Sequence, residues 1–313
     1  MNIPRTSLWG LGLAVIAALI SGLSVYLNGL MVRTFPDPTL LAGVRNGLVG
    51  LALVAALAVA ARRRHSPATP ARTALTGRQR AGLLTLGVIG GGLAFALFFQ
   101  GLALAASPAS AVLQRTLFLW VALAAWPLLG ERPGRATFTA LGALLAGTLL
   151  LDPPTGLGLG LGESLIIAAT LLWTAETIIA RRLLPEVGAG RGAAARMAIG
   201  SVVLLALVAV GGGIAGIGAW TAEQWLFVAG TAALLAVYVT CWYGALERAP
   251  ATLVTSVLAL AALITAGLRA LAAGALPAEP RLAGLALVGI GVVLAAFAAA
   301  RGRRTPTTEP VHA

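Results

Sequence analysis

Long apolar runs bounded by Arg, Pro, Gly or Asp recur ten times along the chain, and this repetition constrains the fold more than any other feature. A bilayer core about 30 Å thick takes roughly 20 apolar residues per crossing helix. The expected spans are 8–32, 39–61, 81–105, 108–129, 134–151, 162–180, 193–212, 222–246, 251–272 and 282–300, the fifth and sixth being short. Only 10% of the 313 residues are charged, against roughly 25% in soluble domains. The net charge of +12 is therefore not the basic face of a soluble nucleic-acid binder, and no nucleic-acid partner is expected. The first run follows Arg5 but is too long for a signal-peptide core, and nine more follow it, so it reads as a membrane helix.

All 22 basic residues are arginine, and their distribution orients the spans. With the N-terminus in the cytoplasm, the inside segments hold 16 arginines, the outside loops hold only Arg33 and Arg281, and four lie within spans. That asymmetry is what the positive-inside rule demands, and moving the count by one span would destroy it. Both termini are expected in the cytoplasm of a multi-pass protein of the cell membrane. The loop 62–80 reads as a solvated basic segment near anionic lipid headgroups, and residues 301–313 as a disordered cytoplasmic tail.

Residues 107–151 align with 249–293 at a constant offset of 142, pairing Pro108 with Pro250, Val112 with Val254, Gly142 with Gly284 and Gly147 with Gly289. A weaker echo sets AGVRNGLVG against AAARMAIGS and pairs Arg45 with Arg196. Five spans per half is an odd number, so the second half enters the membrane inverted. Such repeats are an architecture of secondary transporters. The expected fold is all-α and membrane-integral, with ten helices in two inverted five-helix repeats, 1–151 and 152–300.

Ten spans in two halves, the short turn in GLALAASPASAVLQ, the LLGERP segment after the fourth span and the following LGALLAG resemble the EamA-type members of the drug/metabolite transporter superfamily. In that family the Gly-Glu after the fourth helix often recurs after the ninth. Here Gly130 and Glu131 are present, and the offset of 142 puts Ala272 and Ala273 opposite them. The resemblance implies a secondary transporter for a small metabolite, such as an amino acid or related solute, with export as one direction open to it. The alternative is a sensor or assembly factor that keeps the fold without transporting. The expected partners are a small-molecule solute and membrane lipids; proton or cation coupling and a homodimer remain open.

Charged and polar residues inside the spans carry the functional expectations, because each needs a partner, water or an escape to the interface. Glu176 and Arg196 flank the turn between the sixth and seventh spans at matched depth, about one helical turn inside. They read as an ion pair, a proton-coupling site, or both in turn. Arg115 lies about 10 Å below the outer end of the fourth span. It reads either as the ligand of a solute carboxylate in an outer vestibule or as a headgroup anchor, with Gln114 beside it. Arg45 and Arg269 are closer to outer ends and can snorkel.

Gln100, Asn46, Trp120, Trp173 and Tyr238 complete the candidate substrate-binding set, with Tyr26, Asn28, Phe95, Phe99, Thr174, Trp242 and Tyr243 as further lining. Gly90, Gly91 and Gly92 permit close helix approach in the third span. Asp37 and Asp152, each beside proline, read as turn residues. His65 and His312 both lie outside the spans, Cys241 is the only cysteine, and no phosphate-loop motif occurs. No catalytic residue, metal site or cofactor is expected.

Overall fold

The computed structural model describes residues 5–31, 34–63, 74–105, 112–153, 158 and 160–301. Pro108 and most of the basic loop (64–73) lie outside the described residues, as does the tail beyond Arg301, which itself closes the last helix. The regular structure of the described residues is helical throughout. The ten principal helices are α1 (Arg5–Met31), α2 (Pro38–Arg63), α3 (Gly77–Leu104), α4 (Val112–Leu129), α5 (Arg135–Leu151), α6 (Leu161–Val187), α7 (Ala189–Val210), α8 (Ala222–Arg248), α9 (Ala251–Ala273) and α10 (Glu279–Arg301). Nine are long and apolar enough to cross a bilayer, and α5 is a shorter apolar helix of 17 residues. Large apolar side chains cover the outside, Val210 at 91% exposure and Leu51 at 71% among them. Such a surface suits hydrocarbon as solvent and would be a liability in water. The face carrying the start of α1 and the end of α10 is called the base below, and the opposite face the crown.

The packing repeats with a shift of five helices. Helix α1 lies on α8 and α9, and α6 lies on α3 and α4; α2 lies on α7 and α8, and α7 on α2 and α3. The pairs α2–α7 and α5–α10 map onto themselves. Small residues make the self-mapped crossings close. Ala198 backs onto Gly50 and Ser201 onto Gly47, while Gly147 and Gly284 meet backbone to backbone. Dispersion at such short range is what holds helices together where no hydrophobic force acts between them.

Three helices depart from regular α geometry. Helix α3 is a π-helix over Leu86–Leu93, the segment that contains the three glycines. Helix α4 breaks at Thr116, whose N–H turns back to Leu113 O at 3.2 Å. Its equivalent α9 breaks at Ala259 and Leu260, which bond to Ser256 O and Val257 O. After the breaks come two 13-residue segments, Leu117–Leu129 and Ala261–Ala273, closed by Gly130 (φ 70°) and Gly274 (φ 62°) in the left-handed conformation. The offset of 142 therefore does not hold past the breaks. Gly130 corresponds to Gly274 and Glu131 to Ala275, because the turn in α9 is longer than the one in α4.

The sixth span also differs from expectation. It is not short: α6 runs 27 residues to Val187, and α7 begins at Ala189, with Gly188 alone between them. Arg181 and Arg182, just past the expected end at 180, lie with Pro185 inside the last turns of α6. The two guanidiniums are satisfied there by carbonyls of other helices, Leu246 and Glu247 for Arg181 and Leu128 for Arg182.

Candidate functional site

Two groups of polar residues emerge, one toward each face. In the half nearer the base, α6, α7 and α8 converge on Glu176. Arg196 Nε donates to Glu176 Oε1 at 2.6 Å, Arg196 Nη2 to Oε2 at 3.4 Å, and the Tyr243 hydroxyl to Oε1 at 2.5 Å. All three residues are buried. Glu176 lies 11 residues before the end of α6, about three turns in. That is deeper than the single turn expected, because the helix continues past residue 180.

The π segment of α3 closes this group from the side. Trp173 Nε1 donates to Gly90 O at 3.1 Å and Asn46 Nδ2 to Gly91 O at 3.4 Å. A Cβ on Gly90 would collide with the Glu176 carboxyl, and one on Gly91 with the Arg196 carbonyl. The Phe95 ring meets Trp173 edge-on at 5.3 Å, and the Arg196 guanidinium lies 5.4 Å from its centre, close enough for a cation–π attraction. Tyr238 stacks on Trp242 at 6.2 Å.

In the half nearer the crown, a cavity of about 150 Å³ lies between α1, α4, α5, α9 and α10, against the breaks in α4 and α9. Gln114 and Arg115 line it from one break, Ala259 and Ala261 from the other, with Ser21 of α1 and Thr148 of α5. A second cavity of about 360 Å³ continues from Arg115 toward the crown, where Arg269 and Arg281 line it. Arg115 Nη1 donates to Asp152 Oδ2. Asp152 is thus more than the turn residue its proline neighbour suggested: it holds the arginine at the cavity wall. Asp37 does act locally, accepting from the N–H groups of Thr39 and Leu40 at the start of α2.

Two of the expected lining residues belong to neither group. Gln100 is exposed on α3, one residue and about 100° from Gly101, which packs against Ile166. Trp120 is 37% exposed and donates its indole N–H to Thr116, while its neighbours Phe118 and Val121 take the buried face. Neither lines the two cavities.

Other contacts escaped the sequence reading. Glu131 accepts the N–H groups of Ala251 at 2.7 Å and Thr252 at 3.0 Å, capping α9 from the end of α4. Glu247 accepts from Ala189 N at 3.4 Å, and Gln79 Nε2 donates to Glu186 at 3.2 Å. With Arg181 and Arg182, these contacts tie helix ends together across the base. Glu163, 1% exposed in the first turn of α6, leaves Oε1 unpartnered. A carboxylate three residues into a run with no pattern around it gave no signal.

Inverted five-helix halves, paired helix breaks and buried charge define a multi-pass helical membrane protein of the transporter type. The family model described as the EamA-like transporter family matches residues 8–151 and again 160–297. The chain belongs to that family, whose members are membrane transporters of small solutes. No curated protein matches it. A solved structure described as "Crystal structure of protein" superposes with a TM-score of 0.71 at 20% identity, over 93% of this chain and 98% of its own. At that identity the likeness speaks for the fold alone.

Proposed function

We propose that the protein is a secondary transporter of the cytoplasmic membrane, with base and termini in the cytoplasm, moving a small zwitterionic metabolite by alternating access. The observation that carries this reading is the cavity at the α4 and α9 breaks and its neighbour, which share Arg115 and Thr265 in their walls and extend toward the crown, while helix ends at the base are tied together. Inverted-repeat transporters bind solutes at discontinuous helices on the repeat interface. An amino acid-like solute matches the Arg115–Asp152 pair, since its carboxylate can take the guanidinium and its ammonium the released aspartate. Glu176, held by Arg196 and Tyr243, is the carboxylate best suited to couple a proton to the reverse, base-open state. The helices of repeats 1–151 and 152–300 interleave, so each body that rocks is drawn from both repeats.

The test is efflux from proteoliposomes loaded with a mixture of amino acids and their amides, under an imposed pH gradient and read by mass spectrometry. At least one carboxylated solute should leave, its amide should not, and Arg115→Gln should abolish the flux. Arg115→Lys should weaken apparent affinity, because it keeps the charge and loses the two-pronged geometry. Absence of any flux in either orientation would favour the sensor or assembly alternative. Equal loss for acid and amide in the variants would remove Arg115 from the solute site.

A further inference from the structure

Arg45 is a buried cation with no counter-charge among the described residues. It is 8% exposed on α2, its Nε has no partner, and Nη1 reaches only Asn28 Oδ1, at 3.4 Å. Among the described residues no carboxylate lies within ion-pair range of it.

The other half of the molecule supplies the comparison. Arg45 and Arg196 are each the eighth residue of their helix, and α2 and α7 are equivalent helices whose crossing, at Gly47–Ser201 and Gly50–Ala198, lies between the two arginines. One arginine is therefore nearer the crown and the other nearer the base. Arg196 is met from α6 by the Glu176 carboxylate, whereas Arg45 is met from α1, the equivalent of α6, by the Asn28 amide. The same cation has a counter-charge in one half and lacks it in the other. An amide oxygen can accept from one of the five guanidinium N–H groups but cancels no charge. A buried charge left so is strongly unfavourable, and more so in a membrane.

We propose that Arg45 and Asn28 form a binding site for a small carboxylate or phosphate group between α1 and α2, in the half nearer the crown. The anion takes the position that Glu176 holds at the base, accepting from the Arg45 guanidinium and from the Asn28 amide N–H. The backbones of α1 and α2 do not pack closely, so the contact is made by the Arg45 and Asn28 side chains reaching between them. Asn28 also shares a face of α1 with Ser21 and Val25, which line the smaller cavity, and this sets the site about one turn farther toward the crown. The site does not rest on the Arg115 reading, because Arg115 already has Asp152.

Two sources can supply the anionic group, a dissolved solute or a lipid headgroup, and the test separates them. Purified protein is placed in nanodiscs of phosphatidylcholine alone or with phosphatidylglycerol, and Tm is followed against sodium acetate and inorganic phosphate at constant ionic strength. In phosphatidylcholine the wild type should gain Tm with either anion. Arg45→Gln should show no response. Asn28→Asp, which supplies an internal carboxylate as Glu176 does, should start at a higher Tm and also stay flat. Stabilisation of the wild type by phosphatidylglycerol only, lost in both variants, would assign the same site to a headgroup. If Arg45→Gln does not fold, Asn28→Asp carries the comparison alone. Equal shifts in wild type and Asn28→Asp would overturn the proposal, as would no shift from any anion in the wild type. A response lost in Arg115→Gln and kept in Arg45→Gln would overturn it too.

Discussion

Glu131 grips Thr252 twice, accepting its backbone N–H at 3.0 Å and its hydroxyl at 2.8 Å, across a sequence separation of 121. The carboxylate belongs to the turn after α4 and caps α9, the equivalent helix of the other half. Its charge also faces the positive end of the α9 dipole. Glu131→Ala should lower stability by about 2 kcal/mol, the order expected when hydrogen bonds to a charged group are lost, with Glu131→Gln costing less. Unfolding midpoints in a denaturing-detergent titration check this. A wild-type midpoint for Glu131→Ala would show that the cap contributes nothing.

Removing one partner of the Glu176–Arg196 pair strands the other charge in the membrane. Glu176→Gln and Arg196→Gln should each cost roughly 3–5 kcal/mol, and the double variant should recover part of the loss. Tyr243→Phe should cost less, about 1.5–3 kcal/mol, since it removes one hydrogen bond to a charged acceptor. The same titration reads all four variants. Strictly additive single losses would contradict the 2.6 Å contact.

Close backbone approach makes some glycines irreplaceable and leaves others free. Gly200 has the Gly91 backbone against it, so Gly200→Ala must push α3 and α7 apart, at about 1–3 kcal/mol. Gly142 on α5 has nothing near its missing Cβ, and Gly142→Ala should be neutral or stabilising by up to about 1 kcal/mol. Equal effects at the two positions would mean that the α3–α7 approach is not so tight in the membrane.

The orientation has its own measurement. Single cysteines at exposed Arg78 and exposed Glu223, in a Cys241→Ser background, lie at the base and the crown respectively. In intact cells a membrane-impermeant thiol reagent should label the Glu223→Cys protein and leave Arg78→Cys untouched until the cells are opened. Labelling of both from outside would overturn cytoplasmic termini.

Much of the architecture was legible because a bilayer imposes one length on every helix, and arginine counts then fix the order of the turns. The Arg45–Arg196 echo was legible for a similar reason: both residues sit at the same step of equivalent helices. Contacts made by side chains with distant helix ends were not. Arg181 and Arg182 read as the cytoplasmic edge because an arginine within an apolar run usually marks one, and nothing local announces that Leu246 O and Leu128 O will receive them. Glu131 was visible as a motif residue, but its partners lie in the other half. Trp120 faces outward at 37% exposure, which the apolar run did not disclose, since position along a helix says nothing of which way a side chain faces. The glycine run in α3 announced close helix approach, but nothing in it announced the π winding.

The acceptors that Trp173 and Asn46 use on α3 are the carbonyls of Gly90 and Gly91. Every residue supplies a main-chain carbonyl, so no substitution can delete these two groups; it can only displace them by adding bulk. The interlock between α2, α3 and α6 is thereby insulated from sequence drift in its acceptor half, and the constraint falls on side-chain size. A homologous chain could replace nearly everything along α3 and still dock in the same way, provided that it kept small residues where the glycines stand.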